Sequence, residues 1–121
     1  APTFPTEPRV YIYQAMNWFN LGELDAAKRF IGQAEQLAAP DPDVYYCIGE
    51  IYRDSDRAKA LEALGVYWHM TAVSGGDISF KQKRVWGMIT AIKRCVAEST
   101  PAPCPGPFEH TFNSVAQRAN R

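Results

Sequence analysis

Tyr11, Ala15 and Trp18 are echoed 34 residues later by Tyr45, Gly49 and Tyr52. An aromatic, a small residue and a second aromatic at spacings of four and three lie above one another on one face of an α-helix. A face repeated at this interval restricts the chain to helical hairpins set one after another, each covering the apolar side of the last. Strict alternation of apolar and polar residues, the mark of a half-buried strand, is absent throughout. The expected fold class is therefore all-α.

The rest of the chain obeys the same spacing. Residues 1–8 carry Pro2, Pro5 and Pro8 and read as a lead-in. From residue 9 the rows Tyr11–Ala15–Trp18 and Ile12–Met16–Phe19 predict a first helix, which Gly22 ends. Leu24, Ala27, Ile31 and Ala34, widened by Phe30 and Leu37, predict a second helix that stops at Pro40. Asp41-Pro42 supplies a capping carboxylate and a first-turn proline for a third helix, with Val44, Ile48, Ile51 and Tyr52 inward. After Asp54-Ser55-Asp56 a fourth helix carries Leu61, Leu64, Gly65, Trp68 and Ala72, and Ser74-Gly75-Gly76-Asp77 closes it. Ser79 and Gln82 have capping-box spacing and open a fifth helix lined by Val85, Ile89, Ile92 and Val96. The organisation expected is one domain: hairpins over 9–98, a Pro-rich linker over 99–107, and a C-terminal amphipathic helix over 108–121 with Phe108, Phe112, Val115 and Ala119 on one side.

Tyr45-Tyr46-Cys47-Ile48-Gly49-Glu50-Ile51-Tyr52 resembles the W-x2-L-G-x2-Y stretch of tetratricopeptide repeats, and the 34-residue period is the length of that repeat. In the first copy Gln14-Ala15 stands where the family has Leu-Gly, yet Gly22, Leu24, Ala27, Ile31, Ala34 and Pro40 fit the family's turn glycine, second helix and closing proline. Beyond residue 54 the likeness thins. Ala60, Leu64 and Tyr67 keep the small–large–small row one residue early, and Trp86-Gly87 is a faint echo. The resemblance implies a TPR-like α-α superhelix of antiparallel hairpins, about five main helices plus the C-terminal one. Small residues at Ala15, Gly49, Ala27 and Ala34 would let helices approach, and Trp18, Tyr45 and Tyr52 would fill the gaps between hairpins.

The resemblance also implies a concave groove that takes a partner protein or peptide segment. Its lining is expected from the first helix of each pair: Ile12, Met16, Phe19 and Asn20, then Tyr46, Glu50 and Arg53, then Lys81 and Arg84. Met and aromatic residues suit adaptable partner surfaces. The competing reading is that the apolar members are core, covered by the Pro-rich lead-in or by the C-terminal helix. Chaperone-binding repeats grip a terminal carboxylate with a Lys/Asn set. The matching positions here hold Ile12, Met16, Cys47, Lys81 and Val85, so that subtype is not expected.

Thirteen basic residues balance thirteen acidic ones. A neutral chain gives no expectation of nucleic-acid binding, which needs an excess of Lys and Arg. No apolar run approaches the ~18 residues of a membrane span. Cys47 lies on an apolar helical face and reads as a buried small hydrophobe. Cys95 and Cys104 form the expected disulfide, provided the Pro-rich stretch turns back on the helix; two separate thiols are the alternative. Such a bridge, together with Ala1-Pro2-Thr3 of the kind left by cleavage at a small-residue site, points to a periplasmic or secreted location, with cytoplasmic as the alternative.

No catalytic group is expected. The two histidines, His69 and His110, have no paired ligand at helical spacing, so no metal site is predicted. Glu98-Ser99 resembles the Glu-Ser dipeptide of all-α lytic transglycosylases, but the sugar-site motifs are missing and a Pro-rich run follows at once. Glycine-rich phosphate loops and nucleophile elbows are absent, and no cofactor is expected. The reading is a non-catalytic adaptor or scaffold; the alternative is a structural subunit of a larger assembly.

Overall fold

In the computed structural model, residues 7–37, 41–72 and 79–105 are described. They form five α-helices: α1 (Pro8–Asn20), α2 (Leu24–Glu35), α3 (Pro42–Tyr52), α4 (Arg57–Ala72) and α5 (Phe80–Ala97). There is no strand among the described residues. The fold is all-α. The expected C-terminal helix, most of the lead-in, and the turns after α2 and α4 lie outside the described residues.

Local chemistry sets the helix ends. The Asp41 carboxylate accepts the N–H of Asp43 at 2.9 Å, with Pro42 in the first turn of α3. The Ser79 hydroxyl accepts the Gln82 N–H and the Gln82 side chain accepts the Ser79 N–H, a reciprocal box at the start of α5. At the end of α1, Gly22 takes φ +82°. Glu23 N–H then reaches back to the Trp18 carbonyl and Gly22 N–H to that of Phe19, satisfying two orphan carbonyls. The turn is tight enough for α2 to begin at Leu24.

α1 packs along α2, and α3 along α4, as the two most intimate pairs; α3 also touches α1 and α2, and α4 packs on α5. Closeness within the second hairpin depends on Gly49. A Cβ there would fall on the Leu64 side chain, within 2.5 Å of its Cγ. Two apolar clusters result. Ile12, Ala15, Ala27, Ile31, Ala34, Val44, Cys47, Ile48, Ile51 and Ala63 form the first. Ala60, Leu64, Tyr67, Val85, Met88, Ala91, Ile92, Cys95 and Cys104 form the second. Tyr45, Tyr46 and Tyr52 pack against both and join them.

Two details depart from the sequence reading. Trp18 does not fill a gap between hairpins: no helix precedes α1 among the described residues, and Trp18 is 39% exposed. On α4 the fully buried row is Ala60, Ala63, Leu64 and Tyr67, while Leu61 and Trp68 are half-buried and Ala72 is exposed. α4 packs on both α3 and α5, so its buried stripe is centred between them.

Candidate functional site

α1, α3 and α5 run in the same direction. Arg9 at the start of α1 faces Asp41 and Asp43 at the start of α3, at 3.8 and 3.5 Å. Asp43 in turn holds Lys81 of the first turn of α5 at 2.9 Å. At the other end, Asp54 just beyond α3 accepts the backbone N–H of Cys104, which is disulfide-bonded to Cys95 near the end of α5. The three helices thus present one shared face, bounded by these end contacts.

Between α3 and α5 this face is closed by long polar side chains. Glu50 is buried, at 5% exposure. Its Oε1 accepts Arg84 Nε at 2.9 Å and lies 2.8 Å from Arg84 Nη2, while Arg53 Nη1 lies 3.7 Å from Oε2. Arg84 Nε also donates to the Tyr46 hydroxyl at 2.8 Å. Lys81 Nζ sits 5.0 Å from the centre of the Tyr46 ring, a cation over an aromatic face. Burial, and next the Glu50 charge, push the Tyr46 phenol well above its ordinary range. A carboxylate this buried persists because charge-assisted bonds replace its water. The ladder Asp43–Lys81–Tyr46–Arg84–Glu50–Arg53 binds α5 to α3 without close backbone packing.

Between α1 and α3 the face is open. Past the Arg9 pairs it widens, at the C-terminal ends of both helices, into a cleft of about 220 Å³. Phe19, Leu24 and Ile51 supply its apolar wall, Gly22 and Ser55 its ends, and Glu50, Arg53 and Asp54 its polar rim. Arg53 Nε lies 3.6 Å from Asp54 Oδ2, which holds the rim together. A smaller hollow of about 90 Å³ lies among α2, α3 and α4, beside the Lys59–Glu35 pair.

No family model matches this chain, and comparison with curated proteins and with solved structures finds no similar one. The site is therefore read from its own residues.

Of the nine expected groove residues, Tyr46, Glu50, Arg53, Lys81 and Arg84 come together in the ladder, and Phe19 joins Glu50 and Arg53 at the cleft. Met16 is half-buried against the first cluster, and Asn20 is exposed outside the cleft wall. Ile12 is 7% exposed and belongs to the first cluster, because the buried stripe of α1 faces both α2 and α3. Leu24 and Ile51 were read as core only, yet both line the cleft. The signal that places Leu24 there is Gly22, whose turn brings the start of α2 beside the end of α1.

Cys95 and Cys104 are bonded, as expected, and Cys47 is a buried free thiol whose pKa burial pushes up to about 12. The described residues contain no cluster of His, Cys, Asp and Glu able to hold a metal. His69 and Glu98 are both exposed. No described helix is long and apolar enough to cross a membrane.

Proposed function

We propose that this chain is a non-catalytic adaptor of TPR-like architecture that docks an extended or helical protein segment on the α1–α3–α5 face, with the Phe19–Leu24–Ile51 cleft as its anchoring pocket. The observation that carries this reading is the contrast along one face. Its α3–α5 part is filled by internally paired charges, and its α1–α3 part is an apolar cleft with a polar rim. Small apolar pockets ringed by polar groups are where anchor side chains gain most of their binding energy. Paired charges at the rim fix register and exclude wrong partners more than they add affinity. The Cys95–Cys104 bridge supports a periplasmic or secreted setting, where disulfides persist.

Selection of peptides from a displayed random library on the full-length, oxidised protein tests this. The expected ligands share one large apolar side chain and lose binding to a Phe19→Asp variant while keeping it to Lys93→Asp, on the far side of α5. Ligands indifferent to Phe19→Asp, or no ligands above background, contradict the proposal.

A second reading, a structural subunit of a larger assembly, draws on a different observation. Tyr13, Leu21, Phe80, Trp86 and Val96 are large, apolar and more than 45% exposed, and they lie on α1 and its end and on α5. Covering several separate patches suits a subunit surrounded by neighbours. Sedimentation of the isolated chain separates the two, since an adaptor stays monomeric at concentrations where such patches drive association.

A further inference from the structure

We propose that the hollow among α2, α3 and α4 is a second binding site, one that takes a lysine side chain of a partner protein. The inference goes beyond the adaptor reading and does not depend on it. On α3 the hollow uses Tyr45 and Ile48, whereas the docking face uses Tyr46, Glu50 and Arg53.

The hollow has an apolar floor and a charged mouth. Ile48 and Ala63, both buried, make the floor, and half-buried Tyr45 and Val66 flank them. Glu35, Lys59 and Glu62 stand around the opening, with both carboxylate residues exposed.

The mouth carries two carboxylates against one ammonium, and that ammonium is drawn aside. Lys59 Nζ lies 4.9 Å from the centre of the Tyr52 ring, which does not line the hollow, and 3.9 Å from Glu35 Oε1. Both members of the Lys59–Glu35 pair are 39% exposed, so water screens it. Glu62 makes no ion pair among the described residues. Glu35 is also the last residue of α2, whose last turn has no basic residue. A carboxylate there opposes the helix dipole, and the negative end of α2 adds to the same mouth. The placement is unfavourable for α2 alone and favourable for a cation held beside it.

Size and shape select which cation. At about 90 Å³ the hollow is less than half the volume of the Phe19–Leu24–Ile51 cleft, at about 220 Å³. It suits a slender stem rather than an aromatic anchor. A lysine lays its aliphatic stem along apolar surface while its charged head stays in water. Its ammonium fans several donors toward carboxylates on separate helices, here Glu35 of α2 and Glu62 of α4. The flat fork of an arginine matches a single carboxylate instead. An anion would be repelled, and an uncharged apolar side chain would strip water from the carboxylates with nothing to replace it.

The test adds capped tripeptides to the full-length, oxidised protein and follows its backbone amide shifts. A central lysine should give saturable shifts at Glu35, Tyr45, Ile48 and Glu62. Binding should weaken about tenfold when the central residue is Nε-acetyl-lysine or norleucine, which keep the stem and lose the charge. Equal binding of those two, shifts that do not saturate, or shifts centred elsewhere overturn the proposal. Two variants move the affinity in opposite directions. Glu62→Gln should weaken lysine binding about threefold with the unfolding midpoint unchanged, and Lys59→Gln, which removes the hollow's own ammonium, should tighten it about twofold. Unchanged affinity in both variants, or weaker binding to Lys59→Gln, overturns the proposal. None of these ligands carries a large apolar anchor, so this result and that of the library selection, which turns on Phe19, are separate.

Discussion

The α3–α5 and α1–α3 junctions lie on one face, join helices of the same direction, and are held by opposite means. At α3–α5 the gap is spanned by Lys81 and Arg84, whose heads reach Asp43, Tyr46 and Glu50. At α1–α3 the ion pairs are those of Arg9, which is more than half exposed, and the helices otherwise meet through apolar side chains of the first cluster. Desolvated, mutually paired charges lock a junction because losing one partner strands the other. Solvated pairs hold little, and the α1–α3 junction has a cleft at its other end. One half of the face is committed to the protein's own structure, and the other is where we propose that a partner docks.

The largest effect should come from breaking the closed half. Arg84→Ala leaves Glu50 buried with the Tyr46 hydroxyl and the more distant Arg53, and should cost about 3 kcal/mol in urea unfolding. A cost below about 1 kcal/mol would mean that the ladder is ornamental. Next, Cys95→Ser/Cys104→Ser releases a loop of sequence separation 9 and frees the strap from α5, with about 2.5 kcal/mol lost on loop-entropy grounds. In the same variant the Cys104–Asp54 bond should fail, visible as loss of the Cys104-position amide protection. Gly49→Ala forces Leu64 aside and should cost about 2 kcal/mol.

Alkali gives a smaller, graded effect. Cys47, with its pKa raised to about 12, and Tyr46, raised further, keep their protons in the folded state where the unfolded chain loses them from about pH 8.5 and 10. The folded state then binds more protons, so stability falls as pH rises. The contribution is whole below about pH 8.5 and declines from there toward pH 12. Denaturation midpoints at pH 7.5 and 10 should differ, and Cys47→Ala should reduce the difference. Arg9→Ala, at the open junction, should leave the midpoint where it was.

How far the sequence foretold this contrast can be judged residue by residue. Caps and turns were legible because they depend on neighbours in the chain: Asp41-Pro42, the Ser79–Gln82 box and Gly22 all act within a few residues. Gly49 was legible as a close-approach position through its place in the repeated face. The ladder was only half legible. Tyr46, Glu50, Lys81 and Arg84 were assigned to one face, but not to one another. Their pairing depends on how far α5 slides along α3, and the actual partners stand 38 residues apart for Asp43–Lys81 and Tyr46–Arg84, against 34 for Glu50–Arg84. A repeat of 34 does not encode that slide. The exposure of Val96, expected in the lining row of α5, was not legible for a related reason, since the width of a buried stripe is set by how many helices press on it. The Asp54–Cys104 bond joins an irregular strap to a helix end, and no periodic pattern bears on it.

The most direct test is to saturate the full-length, oxidised protein with a peptide from the library selection and map the amide shifts onto the two junctions. The account predicts shifts concentrated over Phe19–Leu24 and Ile51–Ser55, with Val85–Ile92 of α5 nearly still. Shifts centred on Lys81–Met88, or spread evenly over both junctions, would contradict it.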